Sequence, residues 1–281
     1  MSSNRRRTAC LLTIGSLATA APSFGQSQSI DTFRRETARA LAAKPRPVDS
    51  GTARVAQIDT QLHFKSRSDS LNWSRAKALA AKSTGFRVIV SLQERHVWVV
   101  SDEDTLLSAP AAVAKGTTLN FSGREYTFVT PRGLRTVLNK DADPIWNPPN
   151  WLYDETAKEH GLKVAYIPSS GSITASDGRR ITVRGNQVGV IDADGFAPFP
   201  TTLHIIVGET LYVPPIGTDN RRVSGTLGKF KLNLGDGYML HGTPDQNSIG
   251  LAATHGCVRL RDEDIEWLYE NVPVGAKVYI Y

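Results

Sequence analysis

The sequence predicts a mainly β fold with a few short helices, preceded by a short helical N-terminal segment. From residue 86 onward, short segments rich in Val, Ile, Thr and aromatic residues recur, whereas helical patterns are rare. The turn signals between these segments are Asp177-Gly178, Gly185-Asn186, Asp194-Gly195 and Gly235-Asp236-Gly237. Many short strands with regularly spaced turns are typical of a β-sandwich or a barrel.

Residues 1–25 are predicted to form a signal peptide. A positive segment at residues 5–7 precedes an apolar run at 9–21, and small residues suited to a signal peptidase lie at 20–25. The apolar run is shorter than a membrane-spanning helix requires, and no other segment is apolar for long enough. We therefore expect a bacterial protein that is exported to the periplasm or cell envelope. It has no integral membrane span once the leader is removed.

The charge pattern bears on the class of partner. The formal net charge is +6, and the three arginines at residues 5–7 carry three of those charges, which leaves about +3 for the exported chain. The Lys and Arg residues are scattered and form no cluster with aromatic residues. Nucleic-acid-binding surfaces require clustered basic residues, so no nucleic-acid partner is expected.

Residues 26–85 are predicted to be a helical lead-in with a linker. Residues Ile30 to Ala43 and Leu71 to Lys82 are rich in Ala, Arg and Lys, which favours two modest helices. Pro45-Arg46-Pro47 between them is typical of a linker. No pattern in this segment points to chemistry, so we interpret it as an appendage to one domain at residues 86–281.

The first strands of that domain are predicted to form a hairpin. Arg87 to Leu92 and His96 to Ser101 flank the polar turn Gln93-Glu94-Arg95. The later predicted strands are Tyr126 to Val129, Lys163 to Ile167, Arg180 to Arg184, Val188 to Asp192, Leu203 to Val207, Phe230 to Leu234, Tyr238 to His241 and Lys277 to Tyr281. Helices are predicted at Thr156 to His160 and at Asp262 to Glu270. The second begins with acidic residues, which the helix dipole favours there.

One cysteine, Cys257, remains after the leader is removed. Exported chains usually use cysteines in disulfides, so an unpaired one is either reactive or deeply buried. His241 lies sixteen residues upstream, and glycines flank both positions. A nearby imidazole can take the thiol proton or stabilise the thiolate, which is the reactive form. The alternative is a buried structural cysteine beside a core histidine.

The surrounding motifs favour the reactive interpretation. His241-Gly242, followed by Thr254-His255-Gly256-Cys257-Val258-Arg259, resembles the signature of the L,D-transpeptidase (YkuD-like) catalytic domain. Thr130-Pro131-Arg132-Gly133 is similar to a Thr-Pro-x-Gly turn of that family, and Val274 to Ile280 resembles its last strand. The resemblance covers about 87–160 and 215–281 and implies a β-sandwich catalytic domain. Residues 161–214 are interpreted as an insertion, either a structural elaboration or a lid over the substrate groove.

The resemblance implies acyl transfer on peptidoglycan stem peptides, and hence a role in cell-wall organisation and cell shape. Cys257 would attack the carbonyl between the third and fourth residues of a stem tetrapeptide and release D-alanine through a thioester. His241 would be the base, with its tautomer set by the Gly242 carbonyl. No metal and no organic cofactor is implied. The acceptor would be a second stem peptide or a protein that becomes attached to the wall.

The remaining site residues have supporting roles in this interpretation. His255 is expected to support the site, although its proximity in sequence leaves it open as the base. The backbone N–H groups of Gly256 and Cys257 are candidate oxyanion donors, and Thr254 is expected to hold their loop through its hydroxyl. Arg259 either binds a substrate carboxylate or pairs with the acidic residues that begin the predicted helix at Asp262.

Two other patterns are less specific. The aromatic and proline-rich run from Trp146 to Tyr153 either lines a peptide or sugar groove or serves packing. The histidines outside the signature, including His63, lack metal-ligand spacing. Two rival functions remain: a carboxypeptidase or amidase that uses the same Cys257 and His241 with water as acceptor, and a non-catalytic wall-binding protein.

Overall fold

The computed structural model describes residues 64–281. Within them the chain forms three α-helices and twenty strands, which confirms the mainly β fold class. The predicted signal peptide and the predicted helix at Ile30 to Ala43 lie outside the described residues. No helix among residues 64–281 combines the length and apolar character that crossing a bilayer requires.

The helices are α1 (Arg67–Lys82), α2 (Asn150–His160) and α3 (Asp262–Asn271). The strands of the first half are β1 (Phe86–Ser91), β2 (His96–Ser101), β3 (Asp104–Pro110), β4 (Val113–Ala114), β5 (Thr118–Phe121), β6 (Arg124–Thr127), β7 (Gly133–Thr136), β8 (Asn139–Ala142) and β9 (Lys163–Tyr166). Those of the second half are β10 (Ser172–Thr174), β11 (Arg180–Arg184), β12 (Gln187–Asp192), β13 (Gly195–Pro198), β14 (Ile205–Val207), β15 (Thr210–Val213), β16 (Phe230–Asn233), β17 (Met239–His241), β18 (Ala252–Thr254), β19 (Val258–Arg259) and β20 (Lys277–Ile280).

A five-stranded sheet with the order β3-β2-β1-β20-β7 forms one side of the main core. The predicted hairpin is confirmed, because β1 and β2 pair in antiparallel register from Phe86 with Ser101 to Ser91 with His96. The last strand, β20, lies parallel to β1, with Val88 opposite Val278. The C-terminal strand thus occupies an interior position beside the first strand of the sheet.

A second sheet, β19-β17-β16-β8, shares one core with the first sheet and with α3. Its contribution to the core includes Leu232, Leu240 and Val258, which are almost completely removed from solvent. Ile265 and Leu268 of α3 are equally buried and join the same cluster. Because side chains alternate along a strand, the neighbours of Leu240 and Val258 point away from this core.

Residues 161–214 form two small sheets, β10-β11-β12-β13 and β14-β15-β9. A separate hydrophobic cluster, which includes Ile181, Val188 and Tyr212, holds these sheets together. α2 packs on the side of this region, where Tyr153 contacts a small cluster containing Leu211 and Val213.

Two helices differ from their predicted bounds. The structure begins α2 at Asn150, six residues before the predicted start, so the proline-rich run is partly helical. Pro149 immediately precedes the first helical residue, where the missing N–H of proline costs no hydrogen bond. α1 begins at Arg67 instead of Leu71 because Ser66 caps it by accepting from the Asp69 N–H. Ala76 and Ala80 are the buried residues of α1, which packs against β20 and β7.

Candidate active site

Parallel pairing of β17 and β19 brings the two halves of the signature together. Leu240 lies opposite Val258, and His241 lies opposite Arg259. Since Leu240 and Val258 point into the core, alternation places His241 and Arg259 on the other face of the same sheet, and Cys257 immediately precedes β19. Cys257 is partly exposed, and His241 is 4% exposed. The structure therefore places a partly exposed thiol directly before β19 and a buried imidazole at the end of β17, the strand that pairs with β19.

The His241 ring has a defined orientation. Its Nδ1 lies 2.6 Å from the carbonyl oxygen of Gly242, the contact that the sequence suggested. A carbonyl only accepts hydrogen bonds, so the proton lies on Nδ1 and Nε2 keeps its lone pair. Burial lowers the pKa of His241 to about 4, although the hydrogen bond to Gly242 opposes that shift. The imidazole is therefore neutral near pH 7 and able to take a proton.

The resting form of Cys257 is the thiol. Burial raises the pKa of the Cys257 thiol, whereas the Met239 backbone and the positive charge of Arg259 lower it. Sγ also lies 3.7 Å from the carbonyl oxygen of Gly237. A neutral thiol and a neutral imidazole favour activation by proton transfer during attack over a preformed thiolate–imidazolium pair.

Thr254 holds the nucleophile loop, which we define as residues 254–257. Its Oγ1 donates to the carbonyl oxygen of Cys257 over 2.6 Å and accepts from the Gly256 N–H over 3.2 Å. This geometry matches the role expected for Thr254. It differs from the expectation for Gly256, because an N–H engaged by Thr254 is not offered to a substrate oxyanion. The Cys257 N–H remains the candidate donor in the loop.

Gly256 also meets a steric requirement. Its φ is +149°, and a Cβ at this position would lie 2.9 Å from Tyr238 Cε1 and 3.2 Å from the Val129 carbonyl oxygen. The left-handed backbone and the close packing both select glycine.

Gly256→Ala is expected to reduce the free energy of unfolding by about 1–3 kcal/mol, because strain and a backbone contact act together. Urea unfolding of the purified protein measures this loss. Gly250→Ala is the matched control, since Gly250 has φ +86° but nothing within 4 Å of its Cβ position. Equal losses in the two variants would show that packing against Tyr238 contributes nothing.

His255 is directed towards α2. Its ring stacks on Trp151 with centroids 4.0 Å apart, and the Phe128 ring is nearly perpendicular to it with a centroid distance of 4.5 Å. Its Nε2 lies 2.8 Å from Glu155 Oε2 and 3.0 Å from Lys115 Nζ. Burial lowers the pKa of His255, and the carboxylate of Glu155 opposes that shift. These contacts fit a supporting role for His255, and Trp151 joins the site through it.

Arg259 acts on the site through its positive charge. Its charge contributes to lowering the pKa values of Cys257 and His241, which places the guanidinium in the field of both groups. A guanidinium in this position can receive a carboxylate.

Some contacts of the site have no signal in the sequence. Gly228 packs against Gly242 so closely that a Cβ on Gly228 would lie 2.7 Å from the Gly242 carbonyl carbon. Glu155 and Lys115 reach His255 from segments 100 and 140 residues away in the chain. Within residues 64–281, no cluster of three His, Cys, Asp or Glu side chains has the arrangement of a metal site. His63 lies outside that range.

Comparison with known proteins gives a family. The model of the YkuD family, described as the L,D-transpeptidase catalytic domain, matches residues 85–280. "Probable L,D-transpeptidase YbiS" of Escherichia coli is 48% identical over 66 residues, which cover 24% of this chain and 20% of that protein. "Probable L,D-transpeptidase ErfK/SrfK" of the same species is 38% identical over 92 residues, which cover 32% and 28%. The aligned segments thus span less than a third of the length of each of these relatives.

Solved structures are similar over a larger part of the chain at lower identity. An L,D-transpeptidase from Xylanimonas cellulosilytica is 18% identical with a TM-score of 0.37, covering 74% of this chain and 69% of that one. An L,D-transpeptidase from Mycobacterium smegmatis is 17% identical with a TM-score of 0.38, covering 71% and 59%. The match of the family model covers well over half of the sequence, including the Cys257 loop and His241. The chain therefore belongs to the YkuD family of L,D-transpeptidase catalytic domains.

Proposed function

We propose that this protein is an exported peptidoglycan L,D-transpeptidase of the bacterial periplasm or cell envelope. Its donor is a stem tetrapeptide and its nucleophile is Cys257. The observation that carries the proposal is the pairing of β17 with β19, which brings the strand that ends in the neutral, oriented imidazole of His241 next to the strand that follows the partly exposed thiol of Cys257. This arrangement suits acyl transfer through a thioester.

The first half of the reaction forms the thioester. Nε2 of His241 takes the thiol proton while Sγ attacks the carbonyl between the third and fourth residues of the stem peptide. The resulting oxyanion is stabilised by the Cys257 N–H, which is preorganised by the Thr254 hydrogen bonds to its loop. As the tetrahedral intermediate collapses, the C–N bond breaks and His241 returns the proton to the nitrogen of the leaving D-alanine.

The second half transfers the acyl group. An amine attacks the thioester, the C–S bond breaks, and a new amide forms while Cys257 recovers its proton. The amine belongs to the third residue of another stem peptide, which gives a crosslink between two third residues, or to a protein attached to the wall. Arg259 binds a carboxylate of the peptide, supported by the effect of its positive charge on Cys257 and His241.

Mass spectrometry of products from a purified disaccharide-tetrapeptide tests the proposal. We expect a dimer lighter than two substrates by one free alanine, formed by the wild-type protein and not by Cys257→Ala. Free D-alanine with only tripeptide monomers would show that the protein is a carboxypeptidase and not a transferase. An unchanged substrate with both proteins would overturn the tetrapeptide donor and favour a wall-binding role.

A further inference from the structure

One face of α2 holds the His255 ring. Trp151 and Glu155 are four residues apart on this helix, so their side chains are neighbours on its surface. Trp151 stacks on the imidazole with 15° between the ring planes, and Glu155 Oε2 lies 2.8 Å from Nε2. Two different types of contact from one helix therefore restrain both the plane of the ring and its rotation.

Lys115 links the same nitrogen to the nucleophile loop. Its Nζ lies 3.0 Å from His255 Nε2 and 2.7 Å from Glu155 Oε1. Its backbone N–H donates to the carbonyl oxygen of Thr254 over 2.8 Å. Lys115 is thus attached to the loop by its main chain and to His255 and Glu155 by its side chain.

α2 is a firm support for these contacts. Asp154, next to Glu155, is completely buried, and its carboxylate accepts from Arg124 and from the Tyr126 and Tyr166 hydroxyls. A buried carboxylate with several donors holds its helix in one position, because any shift would leave charge unpaired. The position of Glu155 is therefore set by the buried residue beside it.

The hydrogen-bonding types at Nε2 allow only one bond at a time. A carboxylate only accepts and an ammonium only donates, so Nε2 either donates to Glu155 or accepts from Lys115. These alternatives are the two tautomers of a neutral imidazole. The contact with Glu155 is the shorter one, and Lys115 already donates to the other oxygen of Glu155. A bare Nε2 would instead direct its lone pair at Oε2 over 2.8 Å, which is repulsive.

We propose that Glu155 is a positioning residue: it holds His255 in the tautomer protonated at Nε2 and thereby orients the nucleophile loop. In this tautomer Nδ1, the ring nitrogen nearer the main chain, is an acceptor. The chain of contacts then runs from Asp154 and α2 through Glu155 and His255 to Cys257, two residues further on. The effect on turnover rests on the proposed function, whereas the tautomer does not.

The test uses Glu155→Met, which keeps the approximate length of the side chain but removes the oxygens that can accept from Nε2, and leaves Lys115 as a polar neighbour of that nitrogen. Long-range 1H–15N spectra of 15N-histidine-labelled protein report which ring nitrogen carries the proton. We expect Nε2–H in the wild type and a loss of that state in Glu155→Met, because Lys115 can then donate to Nε2. Lys115→Met should retain Nε2–H, because Glu155 remains. Glu159→Gln, at an exposed position one turn further along α2, should leave the His255 signals unchanged.

Turnover of the disaccharide-tetrapeptide provides the second readout. A displaced loop is expected to lower kcat by about 10- to 100-fold in Glu155→Met with little change in KM, since small errors in the position of a reacting group are costly. An Nδ1–H signal in the wild type, or an unchanged tautomer in Glu155→Met, would overturn the inference whatever the activity. A wild-type protein inactive on this substrate would count against the proposed function alone, and the tautomer signals would still decide the role of Glu155.

Discussion

Replacing Cys257 by Ser is expected to reduce thioester-dependent turnover by at least about 10³-fold, as removal of a nucleophile does in other acyl-transfer enzymes. The physical reason lies in the pair of groups described above. A His241 imidazole whose pKa is lowered to about 4 is a weak base. It can assist a thiol, but a serine hydroxyl is a far weaker acid than a thiol and loses its proton much less readily.

Intact-protein mass spectrometry measures this loss at its first step. After brief incubation with tetrapeptide, the wild-type protein should carry an acyl adduct that maps to Cys257, and Cys257→Ser should carry none. Thermal unfolding controls for the fold, because a one-atom change at a partly exposed position should leave the melting temperature nearly constant. An adduct of equal abundance in the variant, or one that maps to another residue, would remove Cys257 from the mechanism.

His241→Gln is expected to lower kcat/KM by about 10²- to 10⁴-fold, the usual contribution of a positioned general base. Glutamine retains a donor that can satisfy the Gly242 carbonyl, so the change removes the base without leaving that acceptor unpaired. Steady-state rates of D-alanine release measure the effect. His255→Gln serves as the comparison, because its ring contacts Glu155 and Lys115. A larger loss of kcat/KM in His255→Gln than in His241→Gln would instead identify His255 as the base.

The pH dependence of kcat/KM provides a second test of His241 as the base. Burial, together with the charges of Arg259 and Lys231, lowers the pKa of this ring to about 4, while the carbonyls of Gly242 and Leu227 oppose the change. The base is neutral above its pKa, so activity should be present above about pH 4 and decline as pH falls through that value. The acidic limb of kcat/KM reports this group in the free enzyme. A limb near 6.5 that persists in His241→Gln would assign the base elsewhere.

Local patterns in the sequence were sufficient for much of the fold. The β1–β2 hairpin has two apolar segments joined by a short polar turn, and its strands pair as expected. α3 begins at Asp262, where the acidic run suits a helix N-terminus. The sequence predicts the start of α2 six residues too late, because a run of prolines and aromatic residues is compatible with two structures. It can form a loop, or it can lead into a helix whose aromatic residues face a core, and packing of Tyr153 decides for the helix.

The order of strands required the complete fold. β20 pairs with β1 from the opposite end of the chain, and β19 pairs with β17 across a connection that includes β18. Strand pairing between distant segments depends on which hydrophobic faces are buried together, and a period of two along each strand does not specify the partner.

The candidate site also has features that the sequence predicts and features that only the tertiary structure shows. Cys257, His241 and the glycines around them are close in the sequence and form a motif, so their chemistry and family were accessible without coordinates. Only the tertiary structure showed that the Gly256 N–H is engaged by Thr254, and that Glu155 and Lys115 meet at His255. A sequence motif contains residues that are close along the chain, so it can be recognised without coordinates. Hydrogen bonds between segments a hundred residues apart exist only after the sheets have packed, because their free energy depends on burial that no single segment provides.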